Sequence, residues 1–336
     1  MKSVPDAPSS CCARSRSGHN SVLLGRVIIL AAAIAGLWAQ TQDIHERVRH
    51  LLAGSGEAEL AADELANKNF ARVQQILERA QVPGNAARGE LLAVEGAVAF
   101  LGGKPRVSIE YFDRAAALAP LSDSDAFTRA MALVNLGDAE HASIALDQLG
   151  RKHPERALYI YWLGRIDYDQ RRYQEAAAKL KQAVALDPKS ARAWDSLGLA
   201  FDMQGQMEEA LDAFRKAAKL NADQAHPSPW PPHDLGFLLL RMDRLQDAES
   251  LLRESLRYEP GMAQSHYHLG RTLEKQGKDT EAIREYEAAV SSDPASADAC
   301  YSLALLYRKK HRNEEAEAMF REYKLRRQSA VPTASH

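Results

Sequence analysis

Residues 191–224 read ARAWDSLGLAFDMQGQMEEALDAFRKAAKLNADQ, and this stretch decides the fold. Two apolar stripes run through it, Trp194, Leu197 and Phe201, then Ala210, Phe214 and Ala217. Within each stripe the spacing is three or four residues, which sets the side chains on one face of a helix. Each predicted helix has roughly a dozen residues, too short to be stable alone in water. Gly198 and Ala210 are small where one helix must cross its partner closely, and Phe201 and Phe214 fill the gap that remains. One such pair cannot bury its apolar face, so copies must stack.

The copies are present. Leu-Gly pairs stand at Leu163-Gly164, Leu197-Gly198, Leu235-Gly236 and Leu269-Gly270, separated by 34, 38 and 34 residues. Helix-closing prolines stand at Pro120, Pro154, Pro188, Pro260 and Pro294, separated by 34, 34, 72 and 34. Both ladders place a four-residue insertion between Leu197 and Leu235, and Ala222 stands where one proline is missing. Asp187-Pro188 and Asp293-Pro294 stop one helix and turn the chain into the next.

A 34-residue period with these residues resembles the tetratricopeptide repeat family. Trp194, Leu197, Gly198, Phe201, Gly205, Ala210, Phe214 and Ala217 occupy that family's pattern. The resemblance implies an all-α, right-handed superhelical solenoid of stacked antiparallel helix pairs. Seven repeats are expected at 89–122, 123–156, 157–190, 191–224, 229–262, 263–296 and 297–330. A degenerate repeat at 54–88 precedes them, keeping Phe70, Val73, Leu77 and Ala80. Residues 40–53 are a linker or the start of a first helix, and 331–336 a disordered tail. Glu95, Arg129 and Ala304 replace the expected apolar or glycine residues, so the first two units and the last should be looser or irregular.

The N-terminus reads differently. Lys2, Arg14, Arg16 and Arg26 face Asp6 alone, and Val27 to Ala39 is uncharged and mostly apolar. As a helix this run spans about 20 Å, short of a bilayer core of about 30 Å. Basic segment, apolar run and small terminal residue describe an export signal over residues 1–39. The mature chain is then extracytoplasmic, periplasmic or secreted. The alternative is an uncleaved anchor at residues 27–39 that holds an assembly factor for an envelope complex at the inner membrane. Membrane contact is expected only through this leader. Cys11 and Cys12 precede the apolar run, where a lipidated cysteine would follow it, and Cys300 falls on an apolar helix position as a small buried thiol.

With 43 basic against 45 acidic residues the charge balance argues against nucleic acid as a partner, and a mean hydropathy of −0.39 excludes a multi-span membrane protein. No phosphate-binding glycine loop or nucleophile elbow occurs. His45-Glu46 is followed by His50, one place too far for a helical zinc pair, and His266 and His268 point apart on a helix. Glu208-Glu209 and Glu314-Glu315 open second helices, where their charge suits the positive end of the dipole. The cluster from Arg308 to Arg312 reads as a solvated helix terminus and polar cap. No cofactor, metal or enzymatic activity is expected. The expected function is a non-catalytic scaffold that binds another protein or a peptide segment along a concave groove.

First helices line that groove in the family, and the position two residues before each Leu holds Tyr161, Asp195, His233, Tyr267 and Tyr301. Arg165 and Arg271 lie one turn further on. Tyrosine and arginine are enriched in binding hot spots, although tyrosine here also suits packing between neighbouring first helices. Trp230, in the proline-rich His226–Pro232 stretch, is expected on a stiff extended loop at the groove's mouth, as a ligand clamp or folded onto a neighbour.

Overall fold

The computed structural model describes residues 43–293 and 296–329; the leader, the tail after Ser329 and the Pro294 stop lie outside them. Every regular element among the described residues is a helix. None is long and apolar enough to cross a membrane. The chain divides into two units that meet between Arg172 and Tyr173.

The first unit holds α1 (residues 43–51), α2 (Ala58–Ala66), α3 (Phe70–Arg79), α4 (Gly84–Leu101), α5 (Pro105–Ala116), α6 (Asp123–Leu136), α7 (Ala139–Lys152) and α8 (Ala157–Asp169). Helices α2/α3, α4/α5 and α6/α7 pair, and each pair stacks on the next element in the chain. One core runs through Ile44, Val48 and Leu52, Leu65 of α2, Val73 and Leu77 of α3, Leu91 and Val98 of α4, and Phe112 of α5. Side-chain caps set the start of two helices: Ser122 Oγ accepts from the Asp125 amide, and Asp138 from the His141 amide. Helix α4 begins at Gly84, ahead of position 89, and has 18 residues.

The second unit holds α9 (Tyr173–Leu186), α10 (Ala191–Met203), α11 (Met207–Ala222), α12 (Trp230–Arg241), α13 (Leu245–Tyr258), α14 (Ala263–Lys275), α15 (Asp279–Ser292), α16 (Ala297–Lys309) and α17 (Asn313–Ser329). Its pairs are α10/α11, α12/α13, α14/α15 and α16/α17, again stacked in chain order. The close crossing expected at Gly198 is real. A Cβ there would sit 2.6 Å from the Phe214 ring, and one at Gly270 would sit 2.7 Å from Tyr286.

The departures from the pattern have separate outcomes. Ala304 is fully buried, so a methyl group fits where Gly164, Gly198, Gly236 and Gly270 stand in the preceding repeats. Arg129 is half-buried and pairs with Asp113 at 2.7 Å. Glu95 is buried with Oε2 unpartnered, and burial pushes its carboxyl up to about 7. The cysteine expectation holds, since Cys300 is buried and its Sγ donates to the Ser296 carbonyl.

The turn inside each pair shows a further periodicity. Gly103, Gly137, Gly205 and Gly277 have positive φ, and so do Arg171, Asp243 and His311 at the same place in their own repeats. Left-handed backbone costs a non-glycine residue about 1–2 kcal/mol. The repeat geometry therefore imposes this conformation even where the sequence lacks the residue that suits it.

Candidate functional site

First helices do more than pair with their own second helix. In the second unit α10 touches α12 and α12 touches α14, and in the first unit α4 touches α6. Within each unit their side chains therefore share a surface, and in the second unit repeated links hold it in register. Gln204 Nε2 donates to the Tyr173 carbonyl at 3.1 Å, and Gln276 Nε2, at the same repeat position, to the Leu245 carbonyl at 3.2 Å. Arg241 reaches Asp202 at 2.6 Å, Lys275 reaches Asp243 at 2.8 Å and Lys309 reaches Asp279 at 3.0 Å.

An aromatic band lies on α12 and α14. Trp230 meets His233 edge-on at 5.7 Å, His233 meets His268 at 5.2 Å, and His268 meets Phe237 at 4.3 Å and Tyr267 at 5.2 Å. The Arg271 guanidinium lies over Tyr267 at 5.7 Å, the arrangement expected from their one-turn spacing. Arg271 makes no ion pair among the described residues. His233 is buried, with Nδ1 within 2.9 Å of Ser265 Oγ, and burial holds its pKa down at about 4. His268 is also lowered by burial, then by His233 and Arg271, and its Nδ1 has no hydrogen-bond partner. Both imidazoles are neutral at physiological pH and act as flat, weakly polar packing surfaces.

Trp230 is not on an extended loop. It is the first residue of α12, with Pro231 and Pro232 in the first turn, where a helix has no use for their missing N–H groups. The inserted loop before it is clamped rather than loose. The buried Asn221 amide donates to the Ser228 carbonyl and accepts from its N–H, both at 2.8 Å.

The remaining candidates are scattered. Tyr301 is exposed and lies beside Phe320 and Tyr323 of α17. Asp195 is buried in α10. In the first unit Tyr161 is buried edge-on against Trp162 at 5.4 Å. The buried Arg165 lies over Tyr168 and 3.8 Å from Asp169, not over Tyr161. Sequence reasoning missed Phe237 and His268. Phe237 was findable, since it stands in the same phase as Arg165 and Arg271. His268 was not, because its place depends on the neighbouring helix.

Among the described residues no three His, Cys, Asp or Glu side chains are placed to hold a metal ion. His266 is taken by Glu285 at 2.7 Å and the Pro260 carbonyl at 2.8 Å. An open hollow of about 340 Å³ beside α15 is lined by Glu287, Lys310 and Arg312, among others. These three are already bound to Tyr307, Asp279 and Glu315 respectively.

Comparison with known proteins agrees with this geometry. The family profile described as Tetratricopeptide repeat matches residues 127–179, 161–225, 233–296 and 280–332. The chain is 34% identical over 111 residues to Superkiller complex protein 3 of Mus musculus, covering 32% of this chain and 7% of that protein. It is 26% identical over 125 residues to the cytochrome c-type biogenesis protein CycH of Rhizobium meliloti (strain 1021), covering 36% of this chain and 31% of that one. It thus spans less than a third of the length of either relative. Among solved structures, yeast Tom70 aligns with a TM-score of 0.54 at 17% identity, over 78% of this chain and 56% of Tom70.

Proposed function

The chain belongs to the tetratricopeptide repeat family, and from that premise we propose that it is an exported, non-catalytic scaffold that binds a segment of another protein along its first helices. The family generally mediates protein–protein interaction. The observation that carries the finer reading is the aromatic band Trp230, Phe237, His268 and Tyr267, backed by the buried His233 and flanked by Arg271, which has no ion pair among the described residues. Rigid aromatic area beside a free guanidinium is the composition of a binding hot spot. First helices touch one another two elements apart within each unit, which supports reading the surface they share as the groove for an extended or helical peptide. The basic segment and apolar run read from residues 1–39 as an export signal support an extracytoplasmic location.

Affinity capture from an envelope fraction tests the site. Tyr267→Ala and Arg271→Ala should each weaken recovery of the wild-type partner set by about 1–2 kcal/mol in measured affinity, with the fold retained. Equal recovery by wild type and both variants removes these residues from the site. Intact mass or N-terminal sequencing of the native protein tests the location. A start at Gln40 supports export with cleavage, and a retained leader supports the anchored form.

A further inference from the structure

Helix α1 does not occupy the place of a stacked repeat helix. Its Arg47 reaches two successive first helices at once. The Nε donates to Glu90 of α4 at 2.6 Å, and both terminal nitrogens donate to Asp125 of α6, at 2.9 and 3.0 Å. Because α4 and α6 touch each other, a helix bonded to both lies across the first-helix side of the stack. It is held there by the stripe Ile44, Val48 and Leu52, all buried in the core of this unit. The Asp125 carboxylate is itself buried, and its other side-chain partner is the Ser122 hydroxyl, which donates to it at 2.7 Å. With α1 seated, the Arg47 guanidinium supplies the charge that compensates this buried carboxylate.

The connection to the rest of the chain is slight. Residues 53–56 are exposed, Gly54 has φ +87°, and neither Gly54 nor Gly56 would meet anything if it carried a Cβ. Glu46, Arg49 and His50 of α1 are exposed, and Arg49 meets the exposed Glu59 at 3.4 Å. An amphipathic helix on a glycine tether, seated by an apolar stripe and one arginine, has the anatomy of a groove-bound ligand.

We propose that the first-helix face of α4 and α6 is a receptor for an amphipathic helix of a partner protein. Such a helix has apolar residues four apart and an arginine three after the first of them; residues 43–52 cover the face as a tethered stand-in that the partner displaces. This rests on the reading that first helices bind partner segments, but its test needs no natural partner. A tethered competitor lowers apparent affinity by the fraction of open receptor, so opening the face raises it.

The experiment titrates the full chain with a labelled peptide of residues 41–55 and follows amide exchange. Arg47→Glu should bind the wild-type peptide at least about tenfold more tightly than the wild-type chain does. A peptide carrying Arg47→Glu should not bind. Protection should be lost over 43–57 and kept over α4 and α6. Equal binding by both chains, no binding by either, or protection lost throughout α4–α6 would make α1 an ordinary part of the core and overturn the proposal. So would an Arg47→Glu dimer with 43–57 protected, which would assign the face to self-association. A second arm covers a variant that does not fold. The wild-type chain, cut at a protease site inserted between Gly54 and Ser55, should release its N-terminal piece on dilution and take up peptide. Retention of that piece without exchange also overturns it. Because Tyr267 lies in the other unit, loss of partner capture in Tyr267→Ala with intact peptide exchange separates failure of this proposal from failure of the binding reading.

Discussion

The two units solve one packing problem with different chemistry. In the second, successive pairs repeat a single device: a glycine on the first helix lets an aromatic or leucine of the second lie against its backbone, as at Gly198 and Phe214, Gly236 and Leu252, Gly270 and Tyr286. The first unit keeps one clear instance, Gly96 under Phe112, and beside it places Glu95 where the repeats from Leu163 onward have leucine. It compensates with specific polar links, the Arg47 bridge above all. Apolar steric fit is a local property of each repeat, whereas a buried charge binds its stability to one partner and to pH.

The sharpest way to break the comparison is to destroy the steric device. Gly198→Arg forces a side chain into a crossing where even a Cβ would be 2.6 Å from Phe214, and should cost about 4 kcal/mol. Coincident thermal melts of variant and wild type would show that the crossing is not tight. Next, Tyr161→Ala in the first unit removes a ring buried against Trp162 and should cost about 3 kcal/mol. An unchanged melt with weakened partner capture would return Tyr161 to the binding surface.

The units should also respond to acid in opposite directions. Glu95 titrates near 7 in the fold against an ordinary 4.5, so the folded form binds its proton more tightly than the unfolded form. Its penalty is absent below pH 4.5, grows as pH rises to about 7 and is then constant. His233 runs the other way. Its neutral form is favoured, with a folded value near 4 against 6.5, so stability is full above pH 6.5 and is lost as pH falls toward 4. Each effect should be worth about 3 kcal/mol. Amide exchange measured across pH should therefore show Glu95→Leu gaining over wild type in the first unit from pH 4.5 upward. His233→Gln should gain in the second unit from pH 6.5 downward. Parallel profiles in both units would refute the contrast. The smallest effect concerns the turns. His311→Gly relieves a φ of +60° and should stabilise by about 1 kcal/mol or less, since glycine also loosens the unfolded chain. A destabilised variant would mean that the His311 side chain makes a contact that outweighs the strain.

How much of this was legible depends on the residue. Gly198, Phe214 and Cys300 could be read because their roles depend on neighbours within one repeat, and the 34-residue period repeats those neighbours. Tyr267 and Arg271 could be placed together because a helical turn fixes their spacing. The candidate site was legible only as a phase on the first helices. That phase holds a buried Tyr161, a buried His233 and an exposed Tyr301, and nothing in the spacing distinguishes them, because burial depends on what the next helix supplies. Trp230 was misplaced because proline was read as a helix breaker throughout, although the first turn accepts it.

The sequence by itself determined the repeat, the pairing of helices and the crossings that need glycine, since these follow from periodicity and side-chain volume acting over short separations. The tertiary structure alone decided three things. Phe237 and His268 join Trp230 and Tyr267 in one band, Glu95 sits buried without a partner, and Arg47 finds Asp125 across 78 residues of chain. No local pattern encodes these, because each depends on which surfaces the stacked helices bring together in space and on the cost of leaving a polar group there unmatched.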